Sequence, residues 1–86
     1  MPYTVIIAAQ ARKKLLALGK PDRLRITDKI NQLGYNPDDP GLDVKKLEGE
    51  SGWRLRVGRW RVIFDRHELV KIIAIEKIGS RGDVYK

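Results

Sequence analysis

Two kinds of hydrophobic spacing alternate along the chain. Tyr3 to Ala8, "YTVIIA", is short and rich in β-branched residues, which fits a strand buried on at least one face. In "AQARKKLLALG", Ala11, Leu15 and Leu18 recur at helical spacing and Gly19 closes the element. "KPDRLRITDKINQLG" repeats the pattern with Ile26, Ile30 and Leu33. Pro21 suits its first turn, where a missing N–H is harmless, and Gly34 is the natural stop. The short Gly-Lys-Pro link makes the two helices an antiparallel hairpin. From Tyr35 to Gly52, Pro37 and Pro40 with their Asn, Asp and Gly neighbours predict a loop. Alternation of period two then returns in three runs: Trp53 to Val57, Trp60 to Asp65, and Val70 to Ile78. "DRHE" is the turn between the last two. The order β-α-α-β-β-β predicts an α+β fold. Its helical hairpin packs on one face of a small, mostly antiparallel sheet, and the other face is left open.

The run "GWRLRVGRWRVIF" raises a question of register. Gly58 and Arg59 form a two-residue hairpin loop with glycine first, which suits a type II′ turn. That choice pairs Val57 with Trp60, Leu55 with Val62 and Trp53 with Phe64, all on the face turned to the helices. The opposite face then sets Arg56 directly against Arg61, with Arg54 diagonal to Arg61. Like charges apposed across strands are destabilising. Within the hairpin only Asp65 offers a carboxylate to this face. The residues fit either the wet side of an amphipathic hairpin or a site for an anion. The broken stability rule favours the anion, and the arginine fork matches phosphate oxygens.

Charge sharpens that choice. The 86 residues carry a net charge of +7, which points to a polyanionic or acidic partner. The length and the 42% hydrophobic content fit one globular domain over residues 1–86. No apolar run approaches the length of a membrane span. "MPYTVII" has no basic region before its apolar run, so it reads as a first strand and not a signal peptide. With no cysteine there is no disulfide framework and no thiolate zinc site, and a cytoplasmic location is expected. Asp38, Asp39 and Asp43 lie among Pro37, Pro40 and Gly41, a spacing that fits turn chemistry better than a cation site. An arginine-built phosphate site needs no metal or cofactor. His67, alone in its turn, reads as a solvated residue. The parity of Trp53 and Trp60 places them in the core. Arg12, Lys13, Lys14, Lys20, Arg23 and Arg25 on the helices fit a phosphate-tracking surface and a solvated helix face equally well.

The runs "KKLEGESGWRLRVGRWRVIFD" and "IIAIEKIGSRGDVYK" resemble the RelE/ParE toxin superfamily of bacterial and archaeal type II toxin–antitoxin systems. The resemblance covers nearly the whole chain and is most specific in "WRLRVGRWRVIF" and "IGSRGDVY". It implies one of two activities. RelE-like members are ribosome-dependent endoribonucleases that cut mRNA in the A site, whereas ParE-like members poison DNA gyrase. The RelE-like pattern has basic residues on the central hairpin and an arginine and a tyrosine near the C-terminus. Arg54, Arg56, Arg61, Arg81 and Tyr85 fill those positions, so the resemblance implies an endoribonuclease with these five as catalytic residues. Its chemistry is attack of the ribose 2′-hydroxyl on the adjacent phosphate. Lys13, Lys14, Arg23, Lys45, Lys46 and Arg59 are the candidates for contact with RNA and ribosome. The implied partners are the ribosome, mRNA and an acidic RelB-like antitoxin in a hetero-oligomer, with no membrane. The alternatives are a ParE-like toxin without nuclease activity and a non-toxic binding module on the same fold.

Overall fold

The computed structural model describes residues 2–80. The chain runs β1 (Thr4–Ile7), α1 (Ala9–Ala17), α2 (Lys20–Tyr35), β2 (Asp43–Lys46), β3 (Trp53–Val57), β4 (Trp60–His67) and β5 (Ile72–Ser80). The strands form one sheet in the order β1-β5-β4-β3-β2. β1 runs parallel to β5, and the other neighbours are antiparallel. This is the α+β fold that the hydrophobic pattern predicts, with one strand more.

The helices supply Ala11, Leu15, Ile26, Ile30 and Leu33 to a shared core. The sheet answers with Leu55, Val57, Trp60, Val62, Phe64, Ile73, Ile75 and Ile78. Each large side chain removed from water there contributes roughly 1.5–3 kcal/mol. The inward parity of β5 changes once, from Ile73 and Ile75 to Ile78. A bulge absorbs the change: Ile63 pairs with Lys77 but Phe64 pairs with Ile75, which leaves Glu76 as the extra residue. The Glu76 carbonyl accepts a hydrogen bond from the Gln10 side chain of α1 at 3.2 Å.

Several boundaries depart from the sequence pattern, and β5 also runs on past the expected Ile78 to Ser80. β2 lies inside the expected loop; Val44 is its one apolar residue, so it carries no alternation and forms only by pairing with β3. β4 runs on through His67, so "DRHE" is not the turn. Arg66 occupies an inward position there, which hides the alternation. The turn falls at 68–71, with Leu69 and Val70 exposed and Lys71 at φ 55, so β5 begins at Ile72 and not Val70. Gly34, expected as the helix stop, is a buried residue of the last turn of α2.

Gly34 serves close approach. Its carbonyl accepts from the Tyr3 backbone N–H at 2.7 Å, and a Cβ at this position would lie 2.5 Å from Val5 Cγ2. Gly34→Ala gains up to about 1 kcal/mol of helix propensity. Overpacking costs about 1–3 kcal/mol, so net destabilisation is expected. Thermal melting measures it; a Gly34→Ala variant more stable than the parent would show that β1 yields freely.

Candidate phosphate-binding face

The hairpin register is the one that the turn dictates. Val57 pairs with Trp60, Leu55 with Val62 and Trp53 with Phe64. Gly58 takes φ 60, and among described non-glycine residues only Lys71 has a positive φ, so the loop has the type II′ sign pattern. The other face of the same register pairs Arg56 with Arg61 and Arg54 with Ile63.

Adjacent strands complete this open face. β2 sets Asp43 against Arg56 and Lys45 against Arg54. β5 sets Lys77 against Ile63, and Asp65 follows on β4. Among the described residues of this face, Arg54, Arg56, Arg61, Lys45 and Lys77 thus stand against the carboxylates of Asp43, Asp65 and, at the bulge between the inward Ile75 and Ile78, Glu76. The face stays cationic, although Asp43 brings an acid that the hairpin alone does not contain.

The three arginines differ in availability. Arg54 is 15% exposed in its side chain and donates from Nη2 to Asp43 Oδ1 at 3.1 Å. Arg56 is 54% exposed; its Nη1 lies 4.0 Å from Asp43 Oδ2, and its Nε donates to the Gly58 carbonyl at 3.4 Å. Arg61 is only 8% exposed. Its Nη1 donates to the carbonyls of Gly58 and Trp60 at 3.0 and 3.1 Å. Arg61 is therefore built into the hairpin turn, not spread over the wet surface that alternation predicts. Arg56 keeps the most free donor capacity for an oxyanion. A group of this kind can hold a phosphate by forked, charge-assisted hydrogen bonds.

The remaining sequence candidates are dispersed. Lys45 joins the arginine face. Lys46 points to the other side, with Nζ 5.1 Å from the Trp53 ring centroid. Arg59 projects at the hairpin tip, stacked over Trp60 at 5.0 Å and 3.7 Å from Asp22 of α2. Lys13 and Lys14 are exposed on α1, and Arg23 is half-buried on α2. Arg81 and Tyr85 lie outside the described residues. His67 is exposed at the end of β4. Of the loop aspartates, Asp39 accepts from the Gly41 N–H at 2.8 Å, the expected turn chemistry. Asp43 does not make a turn; it opens β2. No cluster of His, Cys, Asp and Glu suited to a metal ion occurs among the described residues.

Asp38 leads to a charged centre that the sequence reading misses. Arg66 lies on the helix-facing side, beside a cleft of about 400 Å³ lined in part by Tyr3, Tyr35, Pro37, Asp38 and Lys71. Its Nη1 donates to Asp38 at 2.8 Å and its Nε to Glu68 at 2.6 Å. The guanidinium is 5.8 Å from the Tyr3 ring and 5.7 Å from the Trp53 ring, while the Tyr3 hydroxyl donates to Glu68 at 2.5 Å. The Arg66 hydrogen bond holds Asp38 below its ordinary carboxylate range. Tyr3, then Arg66, do the same for Glu68. These bonds raise Arg66 further above its usual value, Asp38 most of all. Alternation of "FDRHE" gives no sign of an inward arginine; an inward-parity charge next to Phe64 is the available signal.

Lowered carboxylate pKa values stabilise the fold above the unfolded pKa values, and that contribution is lost as pH falls through the folded ones. Stability is therefore expected to decline as pH drops below the ordinary values of 3.8 for Asp38 and 4.5 for Glu68. Arg66→Met should cost about 1–2 kcal/mol at neutral pH. It should also flatten this acid limb in part, since Tyr3 still bonds Glu68. Denaturant unfolding at a series of pH values measures both; an unchanged acid limb would remove Arg66 from the account.

No family model matches the chain, and no curated protein does. Solved structures do. A chain of the archaeal RelE-RelB complex from Pyrococcus horikoshii is 35% identical, with a TM-score of 0.82 over 98% of this chain and 100% of that one. A chain of the RelBE2 toxin-antitoxin complex from Mycobacterium tuberculosis is 22% identical, with a TM-score of 0.81 over 96% and 95%. A double mutant of the toxin RelE from E. coli in the free state is 19% identical, with a TM-score of 0.72 over 95% and 86%. The last two, at such identities, establish likeness of fold alone.

Proposed function

The chain belongs to the RelE-like toxin superfamily, and from that premise we propose that it is the toxin of a type II toxin–antitoxin pair that cuts mRNA on the ribosome. The observation that carries the proposal is the apposition of Arg56 and Arg61, with Arg54 beside them, on the open face of the sheet. A fold selected for stability alone gains nothing from this pairing; a site for a phosphate in transit does.

In this reading the ribose 2′-hydroxyl attacks the neighbouring phosphate, and the charge that develops on its oxygens is met by the arginine face. Arg56 provides the most accessible fork. Arg61, fixed by the turn carbonyls, and Arg54, fixed by Asp43, hold the field around it. Arg81 stabilises the same oxygens and Tyr85 serves the 2′-hydroxyl; both roles rest on the family resemblance. Arginine stays protonated throughout, so none of the three hairpin residues serves as a base. Lys45 extends the cationic surface next to Arg54. Lys13, Lys14, Arg23, Lys46 and Arg59 would meet the phosphates of mRNA and ribosome around the site. The whole of residues 1–86 acts as one toxin domain in the cytoplasm.

The partner is an acidic, RelB-like antitoxin. The net charge of +7 supports it, as does the archaeal RelE-RelB complex among the similar structures. Primer extension on mRNA from cells that express the chain tests the activity. Cuts at fixed positions within codons are expected. Gyrase-dependent DNA breaks would instead mean a ParE-like toxin, and neither effect would mean a binding module.

A further inference from the structure

Asp43 opens the edge strand β2 directly across from Arg56. Its two oxygens divide between two guanidinium groups: Oδ1 accepts from Arg54 at 3.1 Å, and Oδ2 lies 4.0 Å from Arg56 Nη1. A carboxylate presents to an arginine fork the same pair of oxygens that a phosphate does. We infer that Asp43 is an internal stand-in for phosphate: its carboxylate occupies the arginine face and sets how weakly that face binds a strand that nothing else holds in place.

The contact has the properties of a displaceable ligand. The Asp43 side chain is 53% exposed. Exposed ion pairs of this kind are weak and are screened by salt. A phosphate brings comparable charge and a third oxygen. Arg61 offers the contrast, since its partners are carbonyls of its own turn and its guanidinium is buried. Displacing Asp43 frees Arg54 and Arg56 together, because one carboxylate serves both. A lone RNA strand must compete with Asp43, while a strand presented at high local concentration overcomes it. The use of this threshold on the ribosome rests on the endoribonuclease reading; the competition itself does not.

The test is ribosome-free binding of a 2′-O-methylated single-stranded oligoribonucleotide, which carries no nucleophile for its own cleavage. Fluorescence anisotropy over a salt series measures affinity for the full chain and its variants. Asp43→Asn should bind about three- to tenfold tighter, the gain expected from removing one negative charge within several ångströms. Its log-affinity against log-salt slope should steepen by roughly 0.7, one more phosphate neutralised on a single strand. Asp43→Glu should stay near the parent. Adding Arg56→Ala to Asp43→Asn should abolish the gain. Asp43→Ser provides a second uncharged variant if the asparagine variant melts early. Unchanged or weaker binding by folded uncharged variants would overturn the inference, as would a gain that survives Arg56→Ala. Cleavage on programmed ribosomes is scored separately. A tighter Asp43→Asn with no cleavage by the parent sinks the endoribonuclease reading and leaves this one, and the reverse result does the opposite.

Discussion

Arg56→Ala is expected to lower cleavage of ribosome-programmed mRNA by about 10²–10³-fold, the usual loss when one preorganised donor to a developing oxyanion is removed. Thermal melting should hardly move. Arg56 is mostly exposed, and its contacts at 3.4 and 4.0 Å are long for hydrogen bonds. Its removal also relieves the like-charge pairing with Arg61. Arg61→Ala is a different experiment on the same cross-strand pair. It takes two hydrogen bonds from the hairpin carbonyls and leaves a buried gap, so stability falls by about 1–3 kcal/mol along with activity. Arg61→Lys keeps the charge without the fork and should be intermediate in cleavage. Purified protein, programmed ribosomes and a melting control separate these effects. If Arg56→Ala cleaves like the parent, the open face is not where the phosphate is held.

The hairpin was legible because its information is local. Once Gly58 and Arg59 are taken as a two-residue loop, every cross-strand partner from Trp53 to Phe64 follows, and the arginine apposition with it. Asp43 was not legible, because its role depends on an edge strand with one apolar residue, paired to β3 across a loop. Aspartate in a Pro- and Gly-rich stretch reads as turn chemistry; Asp39 obeys that reading, while Asp38 pairs with Arg66 of β4 and Asp43 with Arg54 of β3. The burial of Arg61 was hidden for a related reason. Alternation says which face a side chain takes, but not that its guanidinium folds back on the carbonyls of Gly58 and Trp60. Arg66 reverses the error: its inward parity looks like the end of a strand, whereas Tyr3, Trp53, Asp38 and Glu68 together make an inward arginine stable.

The family resemblance makes Tyr85 the position of largest expected effect. Tyr85→Phe removes one hydroxyl and should leave melting unchanged. If that hydroxyl handles the 2′-hydroxyl proton, cleavage falls by roughly 10²–10⁴-fold, the loss typical of an acid–base group. This result is the expected one, because the arginines of the described open face cannot accept a proton and Asp43, the carboxylate beside them, is already paired with Arg54. If the ring only stacks on a base, Tyr85→Phe retains most activity while Tyr85→Ala loses it. Arg81→Ala should be nearly inactive in either case, since its proposed task is charge stabilisation at the phosphate. The decisive control is deletion of residues 82–86. Full cleavage by that truncated chain would remove Tyr85 from the chemistry and place the whole burden of catalysis on the arginine face and the ribosome.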